Sequence, residues 1–186
     1  LVELLRHGLY TEFFAEIDSV LIPFMPAGRY GRSVFENSSF IASSACPDPN
    51  ARGRGFVARL SGSTAEFVHI WLLLTVGPKP FTLRDGELYF QLAPVLPAEW
   101  FLAEASEIEW NGRTEALPAK SLSCALFGKT LLVYHNPAMR NTWEEHAAII
   151  SRYILDGQEF QGAFLSGDAA RKIRDGNVER IDVELA

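Results

Sequence analysis

The spacing of apolar residues changes near residue 78. Before it they recur every three or four positions, and after it they alternate with polar ones. Leu1, Leu4 and Leu5 mark the last turns of a helix closed by Gly8, and Thr11 is placed to cap a second. Phe13, Phe14, Ile17, Leu21 and Ile22 share one face of that second helix. So short a loop predicts an antiparallel pair. Pro23, Pro26 and Gly28 then end the helix. Residues 24–60 read as a long connection in which only Val34 to Ser43 is strand-like. A connection of that length is usually functional or disordered, and Tyr30, Phe35, Phe40 and Phe56 favour a packed, functional one. A third helix over residues 64–76 is apolar nearly all round, so it should be buried, with Gly77-Pro78 as its stop.

Beyond Pro80 the pattern becomes that of short strands. Asp85-Gly86, Asn111-Gly112, Asp156-Gly157 and Asp175-Gly176 are hairpin-turn signals. Between and after them lie strand-like runs at Glu107 to Trp110, Ser121 to Leu126, Thr130 to His135, Ile149 to Leu155 and Val178 to Leu185. Such spacing predicts an antiparallel β-sandwich or jelly roll. The chain therefore reads as α+β, with a helical domain over 1–78 and a β domain over 79–186.

Chemistry is suggested where the two patterns approach each other. Gly53-Arg54-Gly55-Phe56 runs through Arg59-Leu60 into Ser61-Gly62-Ser63-Thr64-Ala65-Glu66-Phe67. Ser63 and Glu66 have capping-box spacing, which sets a helix start just after a loop of small residues. Backbone N–H groups and partial positive charge at such an end suit phosphate or sulfate. The plain alternative is an ordinary capped core helix behind a flexible loop.

Charge adds a local hint. The 186-residue chain carries a formal charge of −6, which disfavours nucleic acid and anionic membrane surfaces as partners. Within 28–60, Arg29, Arg32, Arg52, Arg54 and Arg59 face only Glu36 and Asp48, a local +3 that leaves −9 for the rest. Arginine favours bidentate contact with phosphate or carboxylate, though each could equally be solvated or paired with Glu36 or Asp48.

Apolar content of 48% and 12% aromatics support a sizeable core. The longest apolar run, around Val68 to Val76, is about half of the roughly 18 residues a membrane span needs. Cys46 and Cys124 read as free thiols of a reducing, cytoplasmic setting. His7, His69, His135 and His146 show no ligand spacing, so no metal and no cofactor are expected. Leu1 falls in mid-pattern with no initiator Met or signal peptide, which reads as a piece of a longer chain.

Several motifs together resemble one family. Tyr30-Gly31-Arg32-Ser33-Val34-Phe35-Glu36-Asn37-Ser38-Ser39-Phe40-Ile41, Gly53-Arg54-Gly55-Phe56 and Ser61 to Phe67 resemble the C-terminal region of inverting glycoside phosphorylases of the glycoside hydrolase family 94 group. Leu88-Tyr89-Phe90-Gln91-Leu92-Ala93-Pro94-Val95-Leu96-Pro97-Ala98-Glu99-Trp100 is similar to the segment joining their barrel to the last domain. The resemblance covers roughly residues 1–110 and implies the last helices of an (α/α)6 barrel followed by a C-terminal jelly roll. It also implies that Ser61 and Gly62 bind inorganic phosphate as co-substrate. Ser63 and Arg59 stand beside them as further phosphate candidates, and Glu36 and Arg54 as substrate-contacting candidates, the alternative for Glu36 being a structural pairing with Arg32 or Arg54. One residue is inserted relative to the cellobiose-type pattern, and Glu66-Phe67 stands where that pattern has Gly-Trp, so a longer β-glucan is as credible a substrate.

Phosphorolysis with inversion needs a carboxylic acid for the glycosidic oxygen, with phosphate attacking from the opposite face. The resemblance puts that acid upstream of Leu1, so no catalytic residue is assigned and this chain alone should not be competent. A missing N-terminal barrel, or a homodimer partner for the apolar face of residues 1–22, would complete it. The alternative is a non-catalytic β-sandwich module, carbohydrate-binding or purely structural. Among the tryptophans, Trp71 is expected in the core and Trp100 at the domain junction, while Trp110 and Trp143 could be exposed to sugar.

Overall fold

The change of period along the sequence becomes a change of architecture. The computed structural model describes residues 1–20, 25–31, 38–58, 61–145 and 149–186, which divide into two compact units, Leu1–Trp71 and Leu72–Ala186. Helices and mostly antiparallel sheets make the chain α+β. Among the described residues no helix is long and apolar enough to cross a membrane.

In the first unit, α1 (Val2–Arg6) ends where Gly8 N–H donates to the Leu5 carbonyl at 3.2 Å and Leu9 N–H to the Leu4 carbonyl at 2.9 Å. This double bond pattern is the Schellman closure of a helix. Leu9, not Thr11, takes the cap position of α2 (Tyr10–Val20), because the Leu9 carbonyl accepts from Phe13 N–H at 3.0 Å. Phe13 and Ile17 are buried on the expected face, while Leu21 and Ile22 lie outside the described residues.

The stretch read as a long connection holds more structure than expected. A short α3 (Ala27–Tyr30) buries Tyr30 completely. Strand β1 (Ser38–Ile41) lies inside the strand-like run, and β2 (Gly55–Ala58) pairs with it antiparallel, Phe40 opposite Phe56. Nothing in the four residues of β2 alternates, so only the partner strand reveals it.

Helix α4 (Ser61–Thr75) starts earlier than the capping-box spacing implied, and Ser63 lies within its first turn. Nor is the helix buried all round. Ile70 and Leu74, one turn apart, are buried, but Val68 is 55% exposed and Trp71, expected in the core, is 37% exposed. A helix buries a stripe rather than its circumference, and here the stripe is narrower than the apolar composition. After α4 the chain turns at Gly77, with φ of 94°, whose N–H donates to the Leu72 carbonyl at 3.0 Å. A Cβ there would stand 2.9 Å from Ala93 Cβ, so the turn demands glycine both by dihedral and by space.

The second unit opens with β3 (Phe81–Arg84) and β4 (Glu87–Phe90), a hairpin around Asp85-Gly86, followed by β5 (Ser106–Trp110) and β6 (Arg113–Leu117) around Asn111-Gly112. Then come β7 (Ser121–Leu126), β8 (Thr130–His135), β9 (Ile150–Leu155), β10 (Gln158–Gln161) and β11 (Leu165–Ser166). The chain finishes with α5 (Gly167–Arg174) and β12 (Arg180–Leu185). A five-stranded sheet runs β10-β9-β12-β8-β7, a three-stranded one β11-β4-β3, and β5-β6 stands as a two-stranded ribbon.

Strand β12 pairs antiparallel with β9 but parallel with β8, so the large sheet is mixed where a wholly antiparallel one was expected. A parallel pair requires a crossover, and α5 lies on it. Asp175-Gly176 is accordingly the end of α5 and not a hairpin turn. Gly176 N–H donates to the Ile173 carbonyl at 3.1 Å and Asn177 N–H to the Lys172 carbonyl at 2.9 Å.

Each face of the large sheet has its own task. Leu132 and Tyr134 on β8, Tyr153 and Leu155 on β9, and Ile181 and Val183 on β12 form the main core with Phe90 and Ile173. Buried hydroxyls there are matched: Tyr134 donates to the Thr75 carbonyl at 2.5 Å and Tyr153 to the Ala163 carbonyl at 3.2 Å. Burial pushes the Tyr153 pKa up to about 12, and that of the Cys124 thiol likewise to about 12, so both stay neutral. The opposite face carries Leu131, Val133 and His135 beside Arg180, Asp182 and Glu184, in register along β8 and β12. Ile108, Trp110 and Leu117 of the β5–β6 ribbon pack on its apolar part.

Candidate functional site

The residues singled out for phosphate fall unevenly. Ser61, Gly62 and Ser63 form the first turn of α4, whereas Arg59 and Glu36 lie outside the described residues. Arg54 is exposed just before β2, with its side chain running over Gly31: a Cβ at Gly31 would be 3.8 Å from both Cγ and Nη1 of Arg54. Arg52 is turned into its own loop, its Nε donating to the Cys46 carbonyl at 2.8 Å. That loop is shaped by an Asx turn, in which Asn50 N–H donates to the Asp48 carboxylate at 2.9 Å. Of the arginines read as a cluster, then, one is spent on loop structure and Arg54 remains outward.

The densest side-chain chemistry is in the second unit, on the outer face of the large sheet. Asp182 accepts from Arg180 Nε at 2.8 Å and Nη2 at 2.9 Å, and its Oδ1 lies 2.7 Å from His135 Nε2. Arg180 Nη1 donates to Glu115 at 2.9 Å, tying the sheet to the β5–β6 ribbon. Burial alone would raise the Asp182 pKa, but hydrogen bonds and charge from His135 and Arg180 hold it down at about 2. Hydrogen bonding to Asp182 raises that of Arg180 in return.

Beside this chain of charges opens a groove of about 560 Å³. The ribbon supplies Trp110, Asn111, Arg113 and Glu115, and Leu131, Asp156, Asn177, Glu179 and Arg180 line the rest. Asn111 and Gly112, with φ of 50° and 75°, make the tight turn that puts Trp110 and Arg113 opposite each other on one face. Arg113 Nη1 reaches Glu179 at 3.1 Å. Asp156, in the turn after β9, accepts from Glu179 N–H at 3.0 Å and Arg180 N–H at 2.8 Å. Trp110 Nε1, by contrast, is buried with no hydrogen-bond partner among the described residues.

Trp110, Asn111 and Asp156 had a signal in the sequence, through the Asn111-Gly112 and Asp156-Gly157 turns. The lining comes from four separate stretches, three of which β12 brings together by pairing with both β8 and β9. Against known proteins, the chain matches no protein-family model and no curated protein.

Proposed function

We propose that this chain forms the C-terminal part of an inverting glycoside phosphorylase, made of the last helices of an (α/α)6 barrel (1–78) and a jelly-roll-like β domain (79–186). It contributes one edge of the phosphate site, and the general acid comes from another part of the parent protein. The order of motifs from Tyr30 to Trp100 supports this reading. The observation that carries it is the start of α4 at Ser61, which makes Ser61-Gly62-Ser63 a helix N-terminus. Backbone N–H groups in a first turn have no partner within the helix, and a glycine there lets an anion approach. Ser61 and Arg59 add a hydroxyl and a guanidinium to the same anion, while Glu36 and Arg54 serve the sugar. Neutral β-linked oligosaccharide and phosphate are the substrates, within the cytoplasm.

The test is phosphorolysis by the full-length protein encoded at the source locus. A lost hydrogen bond to a charged group is worth about 1.5–3 kcal/mol, so Ser61→Ala should raise the KM for phosphate about ten- to a hundredfold. Adding Arg59→Ala should abolish measurable phosphate saturation. An unchanged phosphate KM in both variants would contradict the assignment.

A further inference from the structure

We propose that the groove between the β5–β6 ribbon and the start of β12 is a binding site for a neutral saccharide. It is built wholly from residues of Leu72–Ala186 and needs no phosphorolysis to operate.

Charge selects the ligand class first. The groove is lined by three carboxylates and two guanidiniums, and all five are engaged within the protein. Arg180 holds Glu115, Arg113 holds Glu179, and two backbone N–H groups hold Asp156. An anion would meet a surplus of negative charge, and a metal ion would have to pull carboxylates from partners they already have. A purely apolar ligand would find only Trp110 and Leu131. What the paired charges leave over is a set of fixed acceptor lone pairs, which suit hydroxyl donors.

The second selection comes from the remaining polar groups of the groove. Asn111 and Asn177 are exposed, so their side-chain amides are open to a ligand, and among the described residues the buried Trp110 indole N–H has no hydrogen-bond partner. A buried indole N–H ordinarily finds an acceptor, so its lack of one calls for an explanation. Carboxamides donate and accept at adjacent atoms, which matches vicinal hydroxyls on a pyranose ring. Trp110 is itself held against Leu117, Leu131 and Val133, giving a rigid apolar surface for the C–H face of a sugar. The volume of about 560 Å³ falls within the usual range for small-molecule sites.

The experiment titrates cellotetraose, and separately maltotetraose, into the isotopically labelled full chain in phosphate-free buffer. Amide and indole NMR signals are followed. At least one sugar should give saturable shifts at the Asn111 and Asn177 side chains and the Trp110 indole. Asn177→Ala, at an exposed side chain, should weaken binding about two- to tenfold, as loss of one neutral hydrogen bond does. Trp110→Phe, which keeps a ring but removes the N–H, should do the same. Three results would overturn the proposal: no saturable shift with either sugar, shifts that map elsewhere, or affinities indifferent to both groove variants. Each would leave the phosphorolysis assay of Ser61→Ala unaffected.

Discussion

A loop of the first unit and the groove of the second are shaped by bonds of different reach. In the loop before β2, Asn50 N–H donates to Asp48 and Arg52 to the Cys46 carbonyl, the latter spanning six residues. At the groove of the second unit, alongside local bonds such as Arg171 to Asp168 elsewhere in that unit, Arg180 reaches Glu115 across 65 residues. Local bonds shape a loop without fixing it to anything remote, which suits a segment that meets a ligand at its own surface. Remote bonds can hold the walls of a groove at a set distance from each other. The difference teaches where each kind of site can be built.

Substitutions in the second unit should therefore register as stability, from the core outward. Phe90→Ala, at a fully buried side chain packed against Phe81 and Tyr153, should cost about 3–5 kcal/mol in urea denaturation. A loss below about 1 kcal/mol would mean that this core is not the stabilising element.

Asp182→Asn comes next, at about 2 kcal/mol near pH 7. The folded Asp182 pKa of about 2 lies below the ordinary 3.8. The unfolded chain therefore takes up the proton first as pH falls, and the stabilisation is complete above about pH 4 and disappears as pH falls through about 2. Denaturation midpoints of parent and variant should converge over that window. A gap that stays constant into acid would show that charge on Asp182 is not what matters.

Gly77→Ala should cost about 1–3 kcal/mol, combining a left-handed dihedral with the approach to Ala93. Smallest of all is Arg113→Ala, which breaks an ion pair with both partners largely exposed and should shift the melting temperature hardly at all. Read together with saccharide affinity, that variant separates what holds the ribbon from what the groove presents.

Much of the second unit was legible because its turns are local chemistry. Asp85-Gly86, Asn111-Gly112 and Asp156-Gly157 each sit at a hairpin, and the bounds of β7 and β8 follow directly from composition. Asp175-Gly176 misled because the same left-handed glycine closes helices as well as hairpins. Helix α5 hid for a related reason: only Ala170 and Ile173 are buried, too few to print a period. Strands β10 and β11 are short edge pieces whose existence depends on β9 and β4. The apolar face of α4 overstated its burial, since Val68 and Trp71 stand exposed. Of the candidate sites, the Ser61 helix start could be read from neighbouring residues, if three positions late. The groove could not, because Asp156 meets Arg180 through the pairing of β12 with β9, and Glu115 meets it through a side-chain bond 65 residues apart in sequence.

The most direct test of the phosphorylase assignment is the product formed by the full-length protein from a β-linked glucan in the presence of inorganic phosphate. Inversion at a β-glycosidic carbon gives an α-configured sugar 1-phosphate. Phosphate-dependent appearance of that anomer, read by 31P and 1H NMR and suppressed in Ser61→Ala, is the predicted result. Free reducing sugar released without phosphate, or a β-configured phosphate ester, would contradict it.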